Sequence, residues 1–134
     1  MKNDKPRVEI IVQSIDQILK YTSEGKQAFL ESDLVKDAVL YRFQVIGDAI
    51  KDLSEEFKLQ NPDIEWREIT RFRDKVVHHY LWIDYQQVWT PIETRLVELR
   101  AQFLDIHQRL VYNVPVDRDK PSKLEERLRT QYSV

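Results

Sequence analysis

The feature that most restricts the fold of this chain is its scarcity of glycine. Only two glycines occur among its 134 residues, whereas an average usage near 7% would give about nine. Glycine is the residue that most readily adopts the positive φ angles of tight turns and phosphate-binding loops. The scarcity argues against a glycine-rich phosphate cradle, a dinucleotide-binding crevice and a β-sandwich with many tight hairpins. We therefore expect an all-α fold.

Composition excludes further classes. The chain has no cysteine, which rules out disulfides, cysteine-ligated zinc, iron–sulfur clusters and thiol catalysis. Apolar residues make up 42% of the chain and charged residues 33%, which is typical of a folded domain. The net charge of −2 gives the chain as a whole no basic excess for nucleic acid. The polar N-terminus and the lack of a long apolar run predict a cytoplasmic protein without signal peptide or membrane span.

Hydrophobic periodicity predicts an antiparallel bundle of four to five helices. The expected helices cover residues 7–22, a short piece at 26–31, a long central helix at 33–53, then 65–79 and 85–111. We expect residues 1–112 to form this domain. Residues 113–134 are more polar and predict an extension outside the core, with a short helix at 123–131.

Helix caps and breakers add local predictions. Ser32 or Asp33 can cap the central helix, and Asp63 can cap the next one. Asp84 with Gln87 fits a capping box, and Pro91 should kink or delay the last helix. Gly47, inside the central helix, costs about 1 kcal/mol relative to alanine, so we expect it to permit a close helix approach at the functional site or at a dimer axis.

The segment RFRDKVVHHY at residues 71–80 concentrates the unusual side chains. Asp74 and His78 are four residues apart and could hydrogen-bond along one helix face. Arg73 and Tyr80 are seven apart, which places them about 20° apart in azimuth on a continuous helix. On the other side, Phe72 and Val76 are expected to face the core, and His79 is a further candidate for that side.

These groups suit cleavage of RNA without a metal. A histidine can deprotonate the ribose 2′-hydroxyl or protonate the leaving 5′-oxygen, and arginine can stabilise charge on phosphorus. Asp74 could orient the imidazole of His78. One histidine per chain cannot easily serve as both the base and the acid. A two-fold dimer would supply a second histidine.

The same residues also have simpler interpretations. An arginine beside an aspartate is commonly a solvated ion pair, and a histidine at a helix end can serve the cap and the helix dipole. Asp74 and His78 could be two metal ligands, but no third ligand stands at a recognisable spacing. His107 stands alone on the last helix and is expected to be structural.

The pattern Arg73, four residues, His78, one residue, Tyr80 resembles the R-x4-H-x-Y motif of HEPN-domain ribonuclease toxins of the HepT family. The resemblance extends over VIGDAI at 45–50, NPDIEW at 61–66 and WIDYQQVW at 82–89, in the order of the family. It covers about half of the chain. Two positions depart from the family: Asp74 stands where asparagine is common, and Asp48 where relatives often carry glutamate.

The resemblance implies an all-α homodimer that is the toxin of a type VII HEPN/MNT toxin–antitoxin system. Arg73 and His78 would be the catalytic pair of a metal-independent endoribonuclease in a composite cleft at the dimer interface, with Asp74 and Asp48 supporting them. Transfer RNA and messenger RNA are candidate substrates, and no cofactor is implied.

The partner that the resemblance implies is an MNT-type nucleotidyltransferase antitoxin, which would transfer AMP to Tyr80 and block the cleft. Arg71, Lys75 and His79 form a candidate RNA-binding patch. One alternative is a catalytically silent HEPN module that binds nucleotide or the nucleotidyltransferase. The other is a purely structural helical dimer, which leaves the grouping of Arg73, His78 and Tyr80 unexplained.

Overall fold

The computed structural model describes residues 3–112, except for the side chains of Tyr80, Val111 and Tyr112. Within this range the backbone forms seven α-helices and no strand, which confirms the all-α prediction. The helices are α1 (Lys5–Tyr21), α2 (Lys26–Glu31), α3 (Asp33–Lys51), α4 (Glu55–Gln60), α5 (Trp66–His78), α6 (Tyr85–Thr94) and α7 (Leu96–Tyr112). A short 3-10 turn, Tyr80–Trp82, follows α5. The predicted extension at 113–134 lies outside the described residues.

The core is organised around α1 and α3. Helix α1 packs against α3 and α7, and α3 packs in addition against α2 and α5, as expected of a central helix. Five aliphatic side chains of α1 are completely buried: Val8, Ile11, Val12, Ile15 and Ile18. Complete burial of such a side chain contributes about 1.5–3 kcal/mol, so this stripe fixes α1 between its neighbours and gives α3 a rigid support.

Two of the predicted caps are present and one is not. Ser32 accepts a hydrogen bond from the amide of Val35, and Asp84 accepts one from the amide of Gln86. Asp63 is not a cap, because a turn in which the amide of Ile64 donates to the carbonyl of Asn61 carries it away from the helix. Instead α5 begins at Trp66, after Glu65, without a side-chain cap.

Two differences from the expected bundle explain the larger number of helices. The short helix α4 was not predicted; it begins after Ser54, whose hydroxyl accepts from the amide of Phe57. The expected helix 85–111 is divided at Arg95 into α6 and α7. Pro91 lies inside α6, and the division comes one turn later. The second half of the expected capping box is absent, since the side chain of Gln87 accepts from Lys75.

None of the helices within residues 3–112 combines the length and the apolar character needed to cross a membrane.

Candidate active site

The site begins with a close approach of α3 and α5 at Gly47. A Cβ atom placed on Gly47 would overlap Cβ and Cγ of Arg73. Only a residue without a side chain therefore allows the stem of Arg73 to lie directly on the α3 backbone. This confirms the prediction that Gly47 permits a close helix approach, here between α3 and α5.

The guanidinium of Arg73 is held by two carboxylates. Its Nη2 lies 2.6 Å from Oδ1 of Asp48 on α3, and its Nη1 donates to Oδ1 of Asp74 at 3.1 Å. Only 18% of the Arg73 side chain is exposed. The hydrogen bond to Asp74 and the charge of Asp48 raise the pKa of Arg73 above its ordinary value, although partial burial opposes this. The arginine is thus a fixed cation at pH 7.

Asp74 is shared between two cations. Its Oδ1 accepts from Nζ of Lys51 at 2.6 Å as well as from Arg73. These hydrogen bonds, that of Lys51 foremost, lower the pKa of the Asp74 carboxyl below its ordinary value. The spacing along the helix predicted a hydrogen bond between Asp74 and His78 instead. Among the described atoms no hydrogen bond joins them, and the partners of Asp74 are Lys51 and Arg73.

His78 is the last residue of α5 and is exposed. It lies five positions after Arg73, so the two side chains leave the helix about 140° apart in azimuth. Arg73 accordingly faces α3, whereas His78 faces solvent. The two side chains therefore leave α5 in different directions.

The helix ends before Tyr80. His79 forms the C-cap, and its amide donates to the carbonyl of Lys75. Since Tyr80 belongs to the following 3-10 turn, the helical azimuth that aligned it with Arg73 does not apply, and its side chain lies outside the described residues. His79 is exposed, so the expectation that it faces the core was wrong, whereas Val76 is buried and Phe72 is half-buried as expected.

The remaining candidate residues lie on the surface of α5 and in the core of α7. Arg71, Lys75 and His79 are all exposed, as an RNA-binding patch requires. His107 is buried and its Nε2 lies 3.0 Å from Oε1 of Glu9, which fits the expected structural role. Within the described part of the chain, no three acidic or histidine side chains are grouped in a way that could hold a metal ion.

The contact of Lys51 with Asp74 was not predicted from the sequence. Lys51 lies three residues after Asp48 on α3 and therefore on the same helix face. That spacing was available in the sequence. What was not available is the packing of α3 on α5, which brings Lys51 to a residue 23 positions away along the chain.

The chain matches the family described as "HepT-like: Ribonuclease HepT-like" over residues 11–106. It is 32% identical over 114 residues to "Putative RNase TTE0752" of Caldanaerobacter subterraneus subsp. tengcongensis, covering 81% of this chain and 98% of that protein. It is 31% identical over 103 residues to "Probable ribonuclease HepT" of Thermococcus cleftensis, covering 76% and 94%. No solved structure was found to match it.

Proposed function

Since this chain belongs to the HepT-like ribonuclease family, we propose that Arg73 and His78 are the catalytic pair of a metal-independent endoribonuclease. The observation that carries the proposal is the placement of Arg73. A half-buried guanidinium is fixed at one helix crossing by two carboxylates, five residues before an exposed histidine at the end of the same helix.

The chemistry follows from these groups. An imidazole takes the proton of the ribose 2′-hydroxyl, whose oxygen then attacks the adjacent phosphorus. The bond from phosphorus to the 5′-oxygen breaks, and that oxygen leaves with a proton supplied by an acid. The guanidinium of Arg73 stabilises the negative charge that develops on the phosphoryl oxygens. The products are a 2′,3′-cyclic phosphate and a 5′-hydroxyl.

A second chain completes the cleft in this proposal. Base and acid are two separate tasks, and the motif provides one exposed histidine per chain. The 140° between Arg73 and His78 supports the same conclusion, because a phosphate on one arginine lies away from the histidine of its own helix. A two-fold axis near the end of α5 would bring the two motifs together.

The proposed biological role is that of a toxin whose antitoxin is an MNT-type nucleotidyltransferase. That enzyme would transfer AMP from ATP to the hydroxyl of Tyr80, with release of pyrophosphate. Tyr80 stands two residues after His78, so in the proposed composite cleft the added phosphate would occupy space meant for RNA phosphate.

Cleavage of RNA by purified variants tests the catalytic assignment. We expect Arg73→Ala and His78→Ala each to lower the single-turnover rate by at least about a hundredfold. Arg109→Ala removes an arginine that is paired on α7 and serves as the matched control, with a rate close to that of the wild type. Full activity of either site variant would contradict the assignment. A wild type that binds a nucleotidyltransferase and cleaves no RNA would favour the catalytically silent module.

Co-expression with a candidate nucleotidyltransferase tests the proposed regulation. Intact mass should rise by one AMP residue or a multiple of it, and the modified protein should no longer cleave RNA. Tyr80→Phe removes the acceptor hydroxyl and should keep the original mass. Tyr85→Phe, a tyrosine five residues away, is the control and should still be modified. Modification of the Tyr80→Phe protein would contradict the assignment.

A further inference from the structure

We propose that Lys51 is a positioning residue of this site: it holds the carboxylate of Asp74 and thereby keeps Arg73 available for RNA phosphate. The inference rests on the proposed function and concerns a residue of α3 that does not belong to the sequence motif. Lys51 acts through Asp74 rather than on the substrate.

Four charged groups form one cluster between α3 and α5. The cations are Arg73 and Lys51, and the anions are Asp48 and Asp74. Asp48 lies 2.6 Å from Nη2 of Arg73, whereas Oδ1 of Asp74 lies 2.6 Å from Lys51 and 3.1 Å from Nη1 of Arg73. The shorter of the two contacts of Asp74 is therefore the one to Lys51.

This arrangement determines which part of Arg73 a phosphate can reach. Nε of Arg73 is buried, and Nη2 is engaged by Asp48. The contact of Nη1 with Asp74 is longer, at 3.1 Å, and Asp74 also accepts a hydrogen bond from Lys51. When a phosphate oxygen takes the hydrogen bond of Nη1, Asp74 keeps its hydrogen bond with Lys51, so no carboxylate is left without a partner.

The charge balance leads to the same conclusion. With Lys51 present, two cations face two carboxylates and the cluster is neutral. Without it, Arg73 alone would face both Asp48 and Asp74, and the cluster would carry one negative charge. An incoming phosphate would then be repelled, and Asp74 would engage Arg73 fully.

A double-mutant cycle tests this role. Lys51→Met should weaken binding of an uncleavable 2′-O-methyl RNA by about tenfold, the effect expected for a hydrogen bond between charged groups at a partly exposed site. Asp74→Asn should bind the same RNA somewhat more tightly than the wild type. Lys51→Met combined with Asp74→Asn should return to within about twofold of Asp74→Asn alone, because the anion that Lys51 holds is gone.

Two further measurements separate positioning from a purely structural role. Lys51→Met should raise the KM for RNA cleavage and change kcat little, and Lys51→Arg should restore the wild-type KM. The Lys51 side chain is 43% exposed, so thermal unfolding should report a folded protein in every variant. Lys58→Met removes a lysine that is paired with Glu55 on α4 and should bind RNA as the wild type does.

Each contrary result has its own meaning. If the double variant binds RNA as weakly as Lys51→Met, Lys51 contacts phosphate directly and the positioning role is overturned. Unchanged binding by Lys51→Met would overturn it as well. A wild type that binds 2′-O-methyl RNA but cleaves no RNA contradicts only the proposed catalysis, since the cycle can still be read from binding. A wild type that binds no RNA contradicts both.

Discussion

Gly47 determines how close Arg73 can come to α3. The two atoms that a Cβ on Gly47 would overlap are Cβ and Cγ of Arg73, which lie at the base of that side chain. They cannot move aside by a change of rotamer at the far end. A side chain at position 47 must therefore push α5 away from α3 or swing the whole arginine out of its contacts with Asp48 and Asp74.

The substitution Gly47→Ala should therefore lower both stability and activity. We expect a loss of about 1–3 kcal/mol in the free energy of unfolding from overpacking, despite the gain in helix propensity of about 1 kcal/mol. RNA cleavage should fall with it, because Arg73 is displaced. Urea unfolding and single-turnover cleavage check the two effects.

Gly25→Ala provides the control for Gly47→Ala. Gly25 has a φ of +96° but no atom within 4 Å of the added Cβ, so alanine there costs about 1–3 kcal/mol in backbone strain. It lies away from Arg73 and should leave the cleavage rate of the folded protein unchanged. A Gly47→Ala protein that is as stable and active as the wild type would contradict the packing argument.

At the residue scale the sequence predicts which residues are important better than it predicts their partners. Asp48 was expected near the motif, and it contacts Arg73. The spacing of Asp74 and His78 allows a hydrogen bond, but spacing within one helix says nothing about competition from another helix. Asp74 accepts a hydrogen bond from Lys51 instead, and only the packing of α3 on α5 reveals this contact.

At the start of α4, the capping residue Ser54 makes three hydrogen bonds. The hydroxyl of Ser54 accepts from the amide of Phe57 and donates to Oδ2 of Asp4, and the amide of Ser54 donates to Oδ1 of Asp4. Ser54 therefore both caps α4 and ties it to the residue that precedes α1. Phe57 is buried, so this cap also orients a core side chain.

Ser54→Ala should cost more stability than Ser32→Ala. Loss of an N-cap hydroxyl typically costs about 0.5–2 kcal/mol, and both variants lose one cap hydrogen bond. Only Ser54→Ala also loses a hydrogen bond to a carboxylate, so we expect a loss of about 2 kcal/mol there and about 1 kcal/mol for Ser32→Ala. Urea unfolding of the two variants measures the difference, and equal losses would show that the contact with Asp4 contributes nothing.

The sequence predicts the long helices, and of the two six-residue helices it predicts α2, which follows Gly25, but not α4. The apolar repeat of α1 and the broad apolar surface of α3 are visible over four or more turns. Helix α4 has six residues, too few for a repeat to show. The prediction of a cap at Asp63 was wrong because the turn there is formed by backbone hydrogen bonds. The division at Arg95 was not predicted, since no glycine or proline stands at that position.

For the whole molecule, the fold class and the family follow from the sequence, whereas the assembly remains a proposal. Leu81 and Trp82 directly follow the motif, and they are 71% and 83% exposed. Two large apolar side chains beside His78 support a contact with a second chain at this end of α5. The exposure of these two residues could not be predicted from the sequence.

Single-turnover cleavage of one RNA oligonucleotide in excess EDTA tests whether the protein cleaves through the 2′-hydroxyl without a metal. We expect products that end in a 2′,3′-cyclic phosphate and a 5′-hydroxyl, made by the wild type but not by the His78→Ala protein. The same oligonucleotide with 2′-O-methyl groups should remain intact. Cleavage that stops in EDTA and returns with added Mg²⁺, or that persists in His78→Ala, would contradict this mechanism.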